Sequence, residues 1–256
     1  MPDSSSPVKK QRSEKSRPSV FWVLAALVIP IGSLLARFRV VDGDKLPRTG
    51  AFILTPNHYS EIDPVMMGMV SWKLGRLPRF LAKESLFKVP VLGWFLRRSG
   101  QVPVSRSGSA RGAAPLDAAR KIAEEGRIVI IYPEGSLTRD PDMWPMRGKT
   151  GAARMALETG LPVIPIAHWG TQQVMARYAK KISWFPRKTI DVKVGDPVDL
   201  SAFQGRPLDN TTLTEATTVI MDAITALLED LRGETAPAER WDPSQHNQKE
   251  TGRFDG

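Results

Sequence analysis

Short apolar runs alternate with segments of helical periodicity from residue 37 to residue 233, and this alternation restricts the fold more than any other feature of the sequence. The run 51–55 has the length and composition of a buried strand. By contrast, 64–74 spaces its apolar residues three and four positions apart, as on one helix face. Strands that alternate with helices are typical of α/β proteins. We therefore expect one α/β domain over 37–233, with a mostly parallel sheet flanked by helices.

The same patterns predict the individual elements. Strands are expected at 37–41, 51–55, 79–83, 101–104, 127–132, 163–167 and 189–194, and helices at 64–74, 90–98, 116–125, 151–159 and 213–231. Pro103 makes 101–104 an edge strand, because proline cannot donate to a central ladder. The last helix has the clearest pattern. Thr212 and Glu215 are spaced as a capping box at its start, and Gly233 ends it.

The N-terminal region divides into a polar segment and an apolar one. Residues 1–18 carry five basic and two acidic side chains without apolar periodicity, so we expect a disordered basic tail. Residues 20–36 are uncharged and apolar, but Pro30 and Gly32 interrupt them and the run is short for a bilayer crossing, which takes about 20 residues.

This apolar run allows four interpretations. A secretory signal lacks a clear cleavage site, and a spanning helix is disfavoured because both flanks are basic. A buried core helix is the plain structural alternative. We favour a membrane-associating helix over 19–36 that dips into one leaflet from the cytoplasmic side, with basic residues at anionic head groups. At the other end of the chain, residues 234–256 are polar and are expected to form a disordered tail.

His58 and Asp63 form the strongest candidate for acid–base chemistry. They lie in a loop between the predicted strand 51–55 and the helix 64–74. A neutral imidazole can take a proton from a hydroxyl while a carboxylate fixes its tautomer. The alternative is that Asp63 only caps the helix and His58 is a polar loop residue. The other histidines are weaker candidates, His168 near a strand end and His246 in the polar tail, and the absence of cysteine excludes thiol nucleophiles.

Positive charge is concentrated between residues 71 and 111, where nine basic side chains face one acidic side chain in a chain of net charge +9. Tryptophan and phenylalanine residues are interleaved with them. This mixture occurs both in nucleic-acid binders and in proteins at a bilayer surface. A solvated basic face around core aromatics is the plain alternative. Given the apolar run before it, we favour the membrane surface and expect no nucleic acid partner.

A second candidate region is the turn 131–139, which follows a predicted strand. Pro133, Glu134 and Gly135 place a carboxylate and flexible backbone where open α/β sheets bind ligands. Lys149 follows a glycine, but the first glycine of a P-loop is missing because Met143 occupies its position. No Gly-x-Ser-x-Gly sequence is present, which argues against a serine hydrolase of the α/β type.

Four motifs occur in order between residues 57 and 166. They are Asn-His-x-x-x-x-Asp, Gly six positions before Arg, an aromatic residue followed by Pro-Glu-Gly and a hydroxyl residue, and a strand with two prolines. Their residues are Asn57, His58 and Asp63, then Gly100 and Arg106, then Tyr132, Pro133, Glu134, Gly135 and Ser136, then Pro162 and Pro165. Together they resemble the glycerophospholipid acyltransferase family, especially lysophosphatidic acid acyltransferases. The sequence departs from that pattern at Leu137, where the family has arginine, and Arg139 follows two positions later.

The resemblance implies a glycerol-3-phosphate acyltransferase-like fold and direct acyl transfer from a thioester to a lysophospholipid hydroxyl. His58 would be the general base and Asp63 its orienting partner. The implied substrate-binding set is Asn57, Lys83, Arg106, Glu134, Gly135, Ser136, Arg139 and Lys149. No metal or cofactor is implied, with acyl-CoA or an acyl carrier protein as co-substrate, and the site of action is the cytoplasmic face of a membrane. Another lysophospholipid or glycolipid acceptor, or a non-catalytic lipid-binding role, stays open.

Overall fold

A five-stranded sheet forms the centre of the molecule. The computed structural model describes residues 14–16, 19–104 and 120–249. The strands in spatial order are β1 (Ala36–Val41), β7 (Lys188–Val194), β6 (Val163–Trp169), β2 (Phe52–Pro56) and β5 (Ile128–Ile130). A separate parallel pair is formed by β3 (Leu81–Lys83) and β4 (Val102–Val104), which a bridge from Phe80 to Ile130 connects to the main sheet.

Three of the four pairings in the main sheet are parallel, and β6 with β7 is antiparallel. The prediction of a mostly parallel sheet is therefore confirmed. Since β2, β5 and β6 run the same way, they all end at one edge of the sheet, which we call the carboxyl edge. Because β7 is antiparallel to β6, β7 and its parallel partner β1 begin at this edge. The loops that follow β2, β5 and β6 thus meet there.

Helices cover both faces of the sheet. They are α1 (Val20–Leu35), α2 (Asp63–Lys73), α3 (Pro90–Arg98), α4 (Gly151–Thr159), the short α5 (Thr171–Val174) and α6 (Asn210–Arg232). Residues 120–124 are also helical. In β2, Phe52 and Leu54 pack in the cluster that contains α1 and α2, whereas Ile53 packs in the one that contains α4 and α6. Both faces of this strand are buried, as expected for the centre of an α/β sheet.

The buried guanidinium of Arg76 joins three loops at the edge opposite the carboxyl edge. It donates hydrogen bonds to the carbonyl oxygens of Pro47, Gly50 and Gly126 at 2.6–2.9 Å. Its plane also lies over the ring of Phe52. Because Arg76 is fully buried, its charge contributes to holding the loops before β2 and β5 rather than to a ligand surface.

The structure corrects three expectations, one about the start of helix α6 and two about the terminal segments. Helix α6 begins at Asn210, and Asp209 caps it by accepting a hydrogen bond from Thr212 N, so the predicted capping box at Thr212 is wrong. Residues 14–16 are ordered, because the Glu14 carboxylate pairs with Arg79 at 3.2 Å. The remaining residues of the predicted tail 1–18 lie outside the described part.

The predicted disorder of the C-terminal tail is also wrong for residues 234–249. This segment folds back on the body, where Arg147 N donates to Trp241 O at 2.8 Å and Ala236 N to the Glu229 carboxylate at 2.7 Å. The polar composition of this segment suggested disorder, but the ring of Trp241 stacks on that of His246.

Gly170 links β6 to α5, and we predict that it tolerates no side chain. Its φ is +116°, and a Cβ would lie 2.3 Å from the carbonyl oxygen of Thr189. Gly170→Ala should therefore lower the free energy of unfolding by about 3 kcal/mol, combining backbone strain with a steric clash. The measurement is urea unfolding followed by circular dichroism.

Gly160→Ala is the matched control. Gly160 also has a positive φ, +69°, but a Cβ there meets nothing within 4 Å in the described part of the protein. It should cost only about 1 kcal/mol, the strain of the left-handed conformation. Equal losses for the two variants would contradict the proposed clash.

Candidate active site

The candidate site lies at the carboxyl edge, where the loops after β2, β5 and β6 meet. These three strands are neighbours in the sheet. The loop after β2 carries His58, the loop after β5 carries Glu134, and β6 itself carries His168 near its end. Ligands of open α/β sheets bind at this edge, so the topology alone brings the predicted motifs together.

The His58 imidazole and the Asp63 carboxylate are in direct contact. The distance from His58 Nδ1 to Asp63 Oδ2 is 2.9 Å. Because a carboxylate only accepts, Nδ1 carries the proton and Nε2 keeps a free lone pair. The His58 side chain is 16% exposed whereas Asp63 is fully buried, so the imidazole is the part of the pair that solvent reaches. The predicted pairing is confirmed.

Three further donors hold the Asp63 carboxylate. Oδ2 accepts from the backbone N–H groups of Tyr59 and Ser60 at 2.8 and 2.9 Å, and Oδ1 accepts from the Thr171 hydroxyl at 2.6 Å. Burial by itself would raise the pKa of Asp63, but the imidazoles of His168 and His58 and the Thr171 hydroxyl together hold the pKa below its ordinary value. The carboxylate is thus ionised and fixed in orientation.

Glu134 supports the loop that carries His58. One carboxyl oxygen accepts from His58 N at 2.8 Å and the other from Met146 N at 3.0 Å. The side chain is fully buried, and burial raises its pKa from 4.5 to about 8, against the lowering effect of the two backbone N–H groups. Glu134 therefore holds the backbone of the loop that carries His58.

Asn57 and His168 form a buried clamp between β2 and β6. The Asn57 amide donates to His168 O at 3.0 Å and accepts from His168 N at 2.9 Å. The ring Nε2 of His168 donates in turn to Asn57 O at 2.9 Å. Burial lowers the pKa of His168, which keeps the imidazole neutral. Asn57, predicted to bind substrate, thus faces the sheet and fixes the position of its neighbour His58.

Tyr132 lies beside the His58 imidazole. The rings of Tyr132 and His58 are stacked, with centroids 4.1 Å apart and an angle of 30° between the planes. Within the described part of the chain, the Tyr132 hydroxyl has no hydrogen-bond partner. Burial raises the pKa of this phenol well above its ordinary value, so it stays protonated. The stack limits the directions in which the His58 ring can turn.

The loop after Tyr132 places the remaining candidates at different depths. Gly135 is exposed with φ +70°, and its α-carbon lies against the stem of Lys149, which a Cβ would approach to 2.9 Å. Ser136 is half-buried beside it. Arg139 is almost fully buried, with its guanidinium over the ring of Tyr178. The structure therefore groups Gly135, Ser136 and Lys149 at the surface of the site and Arg139 deeper in.

The predicted phosphate-binding cations are only partly covered by the structure. Arg106 lies outside the described residues, and of Lys83 only the backbone position, the last residue of β3, is described. Their binding roles stay predictions. Arg76 and Arg79, counted in the basic stretch 71–111, are buried, and Arg79 pairs with Glu14. These two were wrongly grouped with a surface that faces anions.

Two residues that contact Asp63 were missed as site residues by the sequence interpretation. Thr171 lies 108 positions from Asp63, and His168 was judged a weaker candidate although its Nε2 is 3.8 Å from Asp63 Oδ2. The one available signal was that His168 lies near the end of a predicted strand. Arg177 was also missed, and it donates to the carbonyl oxygens of Thr138 and Asp140. Over residues 14–16, 19–104 and 120–249, no group of three or more acidic or histidine side chains could hold a metal ion.

Comparison with known proteins gives a consistent picture. A family model described as "Acyltransferase" matches residues 37–169, which include His58, Asp63, Glu134 and His168. A 1-acyl-sn-glycerol-3-phosphate acyltransferase from Borreliella burgdorferi is 25% identical over 213 residues, covering 82% of this chain and 80% of that protein. One from Bacillus subtilis is 27% identical over 178 residues, covering 68% and 80%.

Other relatives match over a shorter region. A chloroplastic 1-acyl-sn-glycerol-3-phosphate acyltransferase from Brassica napus is 31% identical over 123 residues, 48% of this chain but only 34% of that protein, so the match spans about a third of its length. The crystal structure of the 1-acyl-sn-glycerophosphate acyltransferase PlsC from Thermotoga maritima superposes with a TM-score of 0.58 at 24% identity, covering 85% of this chain and 83% of that one. That similarity concerns the fold.

We predict that Glu134 is largely protonated at pH 7. Its carboxyl carbon, observed by 13C NMR of glutamate-labelled protein and assigned by its absence in Glu134→Gln, should titrate near pH 8. Because the carboxyl binds its proton more tightly in the folded state, the free energy of unfolding should fall as pH rises from about 4.5 to about 8. Titration at the ordinary glutamate value would contradict this assignment.

Proposed function

The chain belongs to the acyltransferase family, and on this premise we propose that it moves a fatty acyl group from acyl-CoA to the free hydroxyl of lysophosphatidic acid, giving phosphatidic acid. The 2.9 Å contact between His58 and Asp63 in the Asn-His-x-x-x-x-Asp motif carries this proposal. It supplies an oriented base at a partly exposed position of the carboxyl edge. The names of the relatives support the choice of acceptor.

The proposed reaction begins with proton transfer. An alcohol is a weak nucleophile until a base removes its proton, and His58 Nε2 has the free lone pair for this step. The oxygen then attacks the thioester carbonyl, and the buried carboxylate of Asp63 stabilises the imidazolium that forms. Collapse of the tetrahedral intermediate breaks the C–S bond, and the proton on His58 passes to the departing thiolate, which restores the neutral base. A thiol of pKa about 8.5 leaves readily as thiolate, so no strong general acid is required. No acyl-enzyme is formed.

The acceptor phosphate would be held by basic side chains around the cleft. We propose Lys83, Arg106 and Arg139 for this role, with Lys149, Gly135 and Ser136 forming the surface near the glycerol. Arginine suits the role because it can contact two phosphate oxygens at once. Glu134 and Asn57 act indirectly, through the backbone of the His58 loop.

We further propose that the protein works at the cytoplasmic surface of a membrane, with helix α1 in the interface. The exposed apolar side chains Val23, Leu27, Ile31 and Leu34 recur at spacings of three and four along this helix. In the part of the chain that the structure describes, no helix combines the length and apolar character that a bilayer crossing requires. An exposed apolar stripe on a short helix suits a position parallel to the bilayer surface.

We expect His58→Ala to lower kcat by about 10²–10⁴-fold, the usual contribution of a general base. The assay measures free thiol released from acyl-CoA in the presence and absence of lysophosphatidic acid. His246→Ala is the matched control, because His246 stacks on Trp241 in the C-terminal segment and should leave the rate unchanged. Wild-type transfer by His58→Ala would refute the proposal.

The same assay with a panel of acceptors and donors distinguishes the alternatives. Preference for another lysophospholipid or a glycolipid would keep the chemistry and change the acceptor. Acyl carrier protein in place of coenzyme A would change the donor. Thiol release without any acceptor would indicate a thioesterase, and no release under any condition would leave a lipid-binding role.

Thr171 offers a second test of the same geometry. Thr171→Val removes the donor at 2.6 Å from Asp63 Oδ1 and leaves a buried acceptor unpaired, so kcat should fall about tenfold with KM unchanged. Thr171→Ser keeps the hydroxyl and should retain most of the rate. Equal losses in the two variants would show that packing, not the hydrogen bond, explains the effect.

A further inference from the structure

The loop between α5 and β7 exposes large apolar side chains far from the helix α1 in sequence. In the segment 180–187, Ile182, Trp184 and Phe185 are 37%, 47% and 85% exposed. Single exposed apolar residues are ordinary on protein surfaces, but three within four positions form a local apolar cluster, a feature that can mark an interaction site. We call residues 180–187 the aromatic loop.

Basic residues flank this patch on both sides. Lys180 and Lys181 precede it, Arg187 and Lys188 follow it, and no acidic residue occurs between positions 179 and 190. Lys180 and Lys181 are exposed and take part in no salt bridge within the described part of the protein. Apolar and aromatic side chains bordered by uncompensated lysine and arginine match the chemistry of an anionic bilayer surface.

The base of the aromatic loop is fixed to the body of the protein. Ser183 N donates to Val174 O at 2.8 Å, and the Lys188 ammonium donates to the Ser183 hydroxyl at 2.6 Å. Arg187 donates to the carbonyl oxygen of Ala36 at 3.3 Å. These contacts hold the two ends of the loop, so its exposed tip has a defined position.

That position is beside both the end of α1 and the candidate site. Ala36, which follows directly on α1, pairs with Lys188 at the start of β7. On the other side, the residues that lead into the loop form a wall of the site. Thr171 contacts Asp63, Met175 O accepts from the Ser60 hydroxyl at 2.6 Å, and Tyr178 N donates to the Glu61 carboxylate. The loop, the exposed end of α1 and His58 therefore share the carboxyl edge.

We propose that the aromatic loop is a second bilayer anchor, which inserts Trp184 and Phe185 among the head groups of an anionic membrane and thereby sets the catalytic cleft at the lipid surface. The inference rests on the proposed function in one respect, because it takes the acceptor to be a lipid. Two anchors at the carboxyl edge, helix α1 and the aromatic loop, fix the orientation of the cleft, which one helix alone would leave free to rotate about its axis.

The first experiment measures partition of the full chain onto vesicles that contain about a third phosphatidylglycerol. Trp184→Ser with Phe185→Ser should weaken partition about tenfold or more, because the side chains no longer enter the interface. Lys180→Gln with Lys181→Gln should weaken it about fivefold per lysine at low salt, and less at high salt.

Matched controls come from the opposite edge of the sheet. Val41 is an exposed apolar residue at the end of β1, and Lys45 and Arg48 are exposed basic residues in the loop that follows. Val41→Ser, and Lys45→Gln with Arg48→Gln, should partition as the wild type does. A loss in the controls equal to that in the loop variants would overturn the proposal, because it would indicate general charge or stability effects.

A second measurement tests insertion directly. Because the chain contains no cysteine, Phe185→Cys introduces a single thiol for an environment-sensitive dye, with Val41→Cys as the control. With vesicles, the dye at position 185 should shift its emission to the blue and be quenched by lipids that carry a spin label near the head group, and the dye at 41 should do neither. A dye at 185 that stays in water while the protein is bound would overturn the proposal, as would a chain that binds no vesicles.

Activity on two forms of acceptor separates this inference from the proposed function. Trp184→Ser with Phe185→Ser should keep the wild-type rate on a short-chain, monomeric lysophosphatidic acid and lose about tenfold on the same head group embedded in vesicles. Equal rates of wild type and variant on vesicles would overturn the anchor alone. No transfer to either form by the wild type would refute the proposed function, while the partition and quenching results would still decide whether the loop inserts.

Discussion

A buried carboxylate that must remain ionised is the constraint on which the site depends. Asp63 has no exposed surface, so its charge is stable only because four donors surround it. Two are backbone amides of its own loop, and one is the His58 ring. The fourth is the Thr171 hydroxyl, which belongs to the short helix α5 after β6. As the first residue of α2, Asp63 also lies at the positive end of a helix dipole. Loop, helix and α5 are thus held together by one charge.

The surrounding residues divide into those that position the loop and those that solvent reaches. Glu134, Asn57 and His168 are buried, and each binds backbone atoms rather than open space. The sequence predicted Glu134 and Asn57 as substrate-binding residues. In the structure, their side chains bond to backbone atoms and hold the loop around His58 in place. What solvent reaches is the imidazole, together with the surface around Gly135 and Lys149. A rigid inner layer and an accessible outer one suit the proposed role of His58 as a base.

Local patterns in the sequence were sufficient for the element order, the mostly parallel sheet and the contact between His58 and Asp63. All of these depend on periodicity or on residues five positions apart. The contacts that the sequence did not predict join distant parts of the chain. Asn57 and His168 are 111 positions apart, and Thr171 and Asp63 are 108 positions apart. Position in the sheet, not spacing in sequence, makes these neighbours. The folded segment 234–249 was missed for a similar reason, since its partners belong to α6 and to the loop before α4.

The triple contact of Arg76 has a consequence for how such a protein can diverge. It secures the loops at one end of the sheet through main-chain oxygens, so the bonds do not depend on the side chains there, although the positive φ of Gly50 and Gly126 favours glycine at those two positions. This end of the sheet is thus held by contacts that are separate from the candidate site. Substitutions in the loops at the carboxyl edge would therefore leave the scaffold at the opposite end in place.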